Sequence, residues 1–252
     1  MDDVLDLSLD ELLTTTRAVR KRLDFDRPVS RQTIERCLQI GFQAPSGENL
    51  QAWGWVAVDD PKIRAQMGDI YRAGVDTFVK ESTQAADDID VKDLVESYDQ
   101  SQAKDEGPVA RMGMEVTDAA GTSKVWESSL HLYHHIQEAP VLVVPLLKAR
   151  FDTFRLFEAA SAWGSVLPAA WNFMLALRSR GLGSTWTTGH LWCDKDMTDL
   201  LGLPPTTPRS GFSPSPTQKA PASSPHAAGR CRMSCIGTAG RAESLSCGRG
   251  TQ

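Results

Sequence analysis

The stretch from residue 154 to residue 178 constrains the fold most. It is long and apolar, and it carries Trp163, Val166, Leu167, Trp171, Phe173, Met174 and Leu177. Its length and spacing predict a helix, which Pro168 either kinks or divides into two. Gly181-Leu182-Gly183 stops it. Residues 140–147 form a short apolar run of strand length, suited to a buried central strand. Residues 53–58 alternate and include β-branched side chains, which predicts a second strand closed by Asp59-Asp60-Pro61. Helices are predicted at 9–20, capped by Ser8, and from Ser30 to a point before Pro45. Further helices are predicted at 62–78, 126–138 and 196–201, and 184–188 is β-prone. Helix, helix, strand, helix, strand, long helix, strand is an α+β order. It is not a Rossmann alternation. No G-x-G-x-x-G occurs, which argues against NAD held in a doubly wound fold.

A chain of 252 residues with 41% hydrophobic residues can fill a core around a cofactor-sized cleft. The net charge of −5 argues against a general nucleic-acid binder. No apolar run reaches the roughly 18–20 residues of a membrane span. The acidic start, Met1-Asp2-Asp3, lacks the pattern of a secretory signal. Cys37, Cys193, Cys231, Cys235 and Cys247 show neither zinc spacing nor a disulfide framework, so a reducing, cytoplasmic setting is expected. Residues 79–125 are polar and charged, and are expected to form a lid or mobile surface segment, partly helical, rather than core.

Three clusters could carry chemistry. Thr14-Thr15-Thr16-Arg17-Ala18-Val19-Arg20-Lys21-Arg22 gathers four cations at the expected end of the first helix. Fixed guanidinium donors suit a phosphate, although a solvated basic helix end reads the same way. Ala44–Gln51 is a small-residue loop, Ala-Pro-Ser-Gly-Glu-Asn-Leu-Gln, which could approach a planar ring or serve as an ordinary turn. Gly181–His190 offers hydroxyls and backbone amides, and could equally be a Ser/Thr-rich strand. His190 has no identifiable acid or base partner and is given no catalytic role. His131, His134 and His135 have helical spacing that could hold a metal, but no H-E-x-x-H base accompanies them, and no metal site is assigned. A metal-dependent hydrolase built on them is the weakest of the functional readings.

Together and in this order, "TTRAVRKRLDFDRPV", "QAPSGENLQAWGWVAV", "EAPVLVVPLLK" and "RSRGLGSTWTTGHL" resemble the nitroreductase family, over about residues 8–203. The resemblance implies an α+β nitroreductase-like fold, with a central, mostly antiparallel sheet flanked by helices. It also implies an intertwined homodimer with FMN at the subunit interface. NAD(P)H would reduce the flavin, which would pass electrons to a nitroaromatic, a quinone or a similar small acceptor. The flavin carries the chemistry, so no catalytic side chain is expected. By match to the motifs, Arg17 and Arg20 would hold the FMN phosphate, with Ala18 where the family often has Ser. Pro45, Ser46 and Gly47, with Asn49 nearby, would contact the flavin or its ribityl chain. Thr187, Thr188 and Gly189 would line the isoalloxazine from the other side. The alternative is a flavin-binding or degenerate member without turnover.

The domain is expected to span 1–207. Residues 208–252 carry six Lys/Arg and one Asp/Glu, a net +5 against −10 on the rest. Their Ser-, Pro-, Ala-, Gly- and Arg-rich composition predicts a disordered tail. The family carries a strand and an arm here that crosses to the partner and brings a basic residue to the phosphate. Reading each codon from Phe212 to Ala227 one base earlier permits "LFPIAYTKGTGFEPAR", which resembles that arm. A frameshift near residues 206–211 is therefore expected. The coding DNA tests it: a shifted frame that does not encode the arm removes the hypothesis.

Overall fold

The computed structural model describes residues 4–84, 90–98, 119–147, 155–203, 213–215, 218–219, 232–236 and 242–246. Two antiparallel strands, β1 (Trp53–Val58) and β2 (Val141–Leu147), organise the rest, paired from Trp53↔Leu147 to Val58↔Leu142. Every residue in both is buried. A strand's side chains alternate between faces, so one pair of strands can hold two cores. Trp53, Trp55 and Ala57, with Val141, Val143 and Leu147, face α2 (Arg31–Gly41) and α6 (Leu156–Arg178). Val56 and Val58, with Leu142, Val144 and Leu146, face α3 (Pro61–Thr83), α5 (Ala119–His135) and α7 (Asp194–Leu200). Both strands are thus covered on both faces, which accounts for the near-continuous apolar run at 141–147.

Local signals set the helix starts. Ser8 and Glu11 form a reciprocal capping box on α1 (Leu9–Thr15). The Ser30 hydroxyl accepts from Thr33 N to start α2. Asp60 accepts from Lys62 N and Ile63 N, with Pro61 in the first turn of α3. Gly202, at φ +59, follows α7 and allows the left-handed turn that ends it. α2 and α6 approach closely at Gly41, where a Cβ would lie 2.9 Å from Ala169 O and 3.1 Å from Phe173 Cβ. Helix α6 spans 156–178 as one element through Pro168.

The structure departs from the sequence expectations in two places. Helix α1 ends at Thr15 rather than near residue 20. Part of 79–125 belongs to the core: Val79 and, on α4 (Val91–Ser97), Val95 are fully buried, and Tyr98 packs edge-on against Trp126 with ring centroids 4.7 Å apart. Among the described residues there, Val79, Val95 and Tyr98 are buried, whereas Val125 is exposed. The remainder of that segment lies outside the described residues.

Short segments of 208–252, where composition predicts a disordered tail, are described as strands. β4 (Ser213–Ser215) pairs antiparallel with β2, β6 (Arg232–Ile236) parallel with β1, and β7 (Ala242–Ser246) antiparallel with β6. β5 (Gln218–Lys219) pairs antiparallel with the short β3 (Arg180–Gly181). Strand addition at a sheet edge uses backbone hydrogen bonds and so does not depend on apolar composition. The sheet order β4-β2-β1-β6-β7 is mostly antiparallel, as expected. The rest of 208–252 lies outside the described residues.

Candidate functional site

Two of the three clusters meet. Thr14, Thr15 and Thr16 each turn a hydroxyl onto the carbonyl four residues back, at 2.5 Å. Such back-bonding by β-branched residues weakens a helix end. Thr16 then leaves in an extended conformation. Ala18 bridges Ser184 in parallel, and Val19 N donates to Ser184 O at 3.0 Å. Residues 16–19 are therefore a strap beside Ser184 rather than a helix end, and Arg20–Leu23 is a turn in which Leu23 N donates to Arg20 O at 3.1 Å. Pairing with a distant segment outweighs the strap's helical propensity.

Tyr71 of α3 joins strap and segment. It is buried, and its Oη accepts from Thr187 Oγ1 at 3.2 Å. Burial pushes the Tyr71 hydroxyl up from its ordinary pKa, opposed by the Thr187 hydrogen bond and by Arg20. Burial likewise pushes the Arg20 guanidinium down, opposed by Tyr71. Glycines allow this packing. A Cβ on Gly189 would lie 2.8 Å from Tyr71 Cε2 and 2.9 Å from Val75 Cγ2. A Cβ on Gly74 would lie 2.1 Å from Gly189 O. Arg17, Ala18 and Thr188 are exposed, and Arg17 Nη1 donates to Thr16 O at 2.7 Å.

The loop at 44–51 sits elsewhere. Gly47 N donates to Ser165 Oγ at 2.8 Å, and Ser165 Oγ donates to Ser161 O, both on α6. Ser46 Oγ accepts from Gln51 N at 3.1 Å. Glu48, Asn49 and Gln51 have φ of 52°, 55° and 47°. Left-handed non-glycine residues cost on the order of 1–3 kcal/mol each and persist where the surroundings hold them. Pro45 and Asn49 are exposed. The loop therefore packs on the α2/α6 face of the sheet, whereas Thr187–Gly189 packs on α3, across the sheet. Along α6, Ser165 and Arg178 are about 20 Å apart at 1.5 Å per residue. One copy brings Arg20, Tyr71 and Thr187 together and leaves Pro45, Ser46, Gly47 and Asn49 apart from them.

The histidines of α5 engage neighbours. His134 Nε2 pairs with Glu96 at 2.7 Å, His135 Nδ1 with Glu138 at 2.8 Å, and the His131 and His135 rings lie 4.6 Å apart. Among the described residues no cluster arranged to hold a metal is found. His190 is fully buried.

The donors present fit a phosphate-bearing planar cofactor. Arg17 and Arg20 offer guanidinium groups, and the 184–189 segment offers hydroxyls and amides. Thr185 Oγ1 in this segment, and Nη1 of Arg178 beside Thr15, are buried without a hydrogen-bond partner. Sequence reasoning missed Tyr71, Gly74, Ser165 and Arg178. The glycine pair 68 and 74 inside a predicted helix was the available signal for a close approach at α3.

Fold and site together define an α+β protein with a cationic strap against a Thr-Thr-Gly segment. The chain belongs to the nitroreductase family, whose model matches residues 13–212. Solved structures agree. A nitroreductase-like family protein from Bacillus cereus is 16% identical, covers 88% of this chain and 92% of its own, and superposes with a TM-score of 0.53. The FMN- and NADPH-dependent nitroreductase NfnB from sphigopyxis sp. strain HMH is 20% identical, with 84% and 88% covered and a TM-score of 0.54. An iodotyrosine deiodinase bound to FMN and 3-iodo-L-tyrosine is 19% identical, with 87% and 97% covered and a TM-score of 0.53. A comparison with curated proteins finds no match. Among the described residues, no helix is long and apolar enough to cross a membrane.

Gly74→Ala should destabilise the protein by about 1–3 kcal/mol, because its Cβ meets backbone that cannot move aside alone. Urea melting measures this, and hydrogen exchange at Leu191 N, bonded to Thr188 O at 2.9 Å, should speed up. A variant that melts with the parent would refute the close packing.

Proposed function

We propose that this chain is an FMN-dependent oxidoreductase that takes electrons from NAD(P)H and passes them to a nitroaromatic, quinone or similar small acceptor. The observation that carries the reading is the pairing of the Arg17–Arg20 strap with Ser184, beside the Tyr71–Thr187 hydrogen bond, within a nitroreductase-family fold. Flavin, when bound, supplies the redox chemistry. The chain's residues bind and orient it. Arg17 and Arg20 offer cationic donors to the phosphate. Thr187, Thr188 and Gly189 line one face of the ring system, and Ala18 lets the strap run close beside them. Pro45, Ser46, Gly47 and Asn49 cover the other face.

That last role requires a second copy, because within one copy the loop lies across the sheet. A homodimer is accordingly part of the proposal. Support comes from α6, where Leu156, Phe157, Leu167 and Trp171 are exposed, and from the exposed Leu50 of the loop. Leu167 and Trp171, four residues apart, share a helix face. Exposed apolar groups gathered in this way suit a partner surface. Nucleic acid and membrane are not partners in this reading, and the setting is cytoplasmic.

The purified chain should absorb at about 450 nm as a flavoprotein and bleach when NADH or NADPH is added. Flavin that binds and is not bleached would favour a binding protein or degenerate member without turnover. A chain that takes up no flavin would sink the proposal, and metal-dependent hydrolysis without flavin would point to the histidine helix.

A further inference from the structure

We infer that Arg178 is a ligand for the phosphate end of the cofactor, acting beside the strap's Arg17 and Arg20. The inference rests on the flavin reading above and adds a residue to that site. Arg178 is the last residue of α6, and its Nη2 donates to Thr15 Oγ1 at 3.3 Å. It therefore stands beside the start of the strap, two residues before Arg17. Its Nη1 is buried without a hydrogen-bond partner. A guanidinium left unsatisfied in this way is costly, and a charged acceptor relieves the cost.

Lys21, Arg31, Arg72, Arg155 and Lys195 each have a carboxylate partner. Among the described residues no ion pair involves Arg17, Arg20 or Arg178. Guanidinium groups without acidic partners on two adjoining segments give this end of the strap a positive potential. The negative end of α6 attracts a cation at Arg178, but that attraction does not satisfy Nη1. The side chain is half-buried and is tethered by one long hydrogen bond. Rotation about its side-chain bonds releases Nη1 and presents the planar fork, which matches phosphate oxygens in pairs.

The test compares FMN with riboflavin, which differ in the phosphate alone. Dissociation constants for both are measured by flavin fluorescence on the full chain and on Arg178→Gln and Arg178→Lys. Arg178→Gln should weaken FMN about tenfold to a hundredfold, the range of a lost charge-assisted hydrogen bond, and leave riboflavin unchanged. Arg178→Lys should restore part of the FMN affinity through its charge. Equal loss of both ligands would assign Arg178 a structural role and overturn the inference, as would no loss of either. A parent chain that binds FMN no better than riboflavin would overturn it while the flavin reading stands. A parent that binds neither flavin would remove both.

Discussion

Burial of the β1–β2 pair on both faces is the constraint from which the rest of the molecule follows. Six and seven residues, all buried, leave no solvent-facing side on either strand. The odd positions of β1 seat Trp53 and Trp55 against α2 and α6, and the even positions seat Val56 and Val58 against α3 and α5. Phe173 at 5.8 Å and Phe42 at 5.9 Å from the Trp55 ring show how fully one face is filled. Helices are thereby committed to opposite sides of one thin layer. Every later feature, including where a cofactor could sit, inherits that division.

The site is assembled at the margin of this framework. The strap reaches it by backbone pairing at Ala18 and Ser184, and Tyr71 anchors it from α3. The hydroxyl of Tyr71 receives Thr187 while its ring receives the Gly189 backbone, so one buried side chain sets the height of the Thr-Thr-Gly segment over α3. Arg20 is partly desolvated by burial. A cation held in this way is prepared for an anion before one arrives.

Much of this was legible in the sequence because periodicity reports burial. The strand at 53–58 and the long helix ending at 178 follow from it, as do the caps at Ser8 and Ser30. The shortened α1 was not legible. Leu12, Leu13 and Val19 keep helical spacing, and only the distant Ser184 backbone shows why residues 16–19 are extended instead. Val95 and Tyr98 were hidden for a different reason, since single buried anchors in a charged segment produce no period. The three clusters were recognisable as motifs, but their arrangement was not. Proximity of Arg20 to Thr187 depends on Tyr71, and the separation of the 44–51 loop depends on which face of the sheet it packs against. The tail strands rest on backbone pairing, which composition does not report.

The central claim is that one copy carries two half-sites on opposite faces of its sheet, and that flavin is held where two copies bring unlike halves together. FMN binding measured across a range of chain concentrations, with the mass of the bound species determined at each, tests it most directly. The account predicts that FMN occupancy rises with the dimer and that the flavin-bearing species has twice the chain mass. FMN bound stoichiometrically to a single chain, at concentrations where no dimer exists, would contradict it.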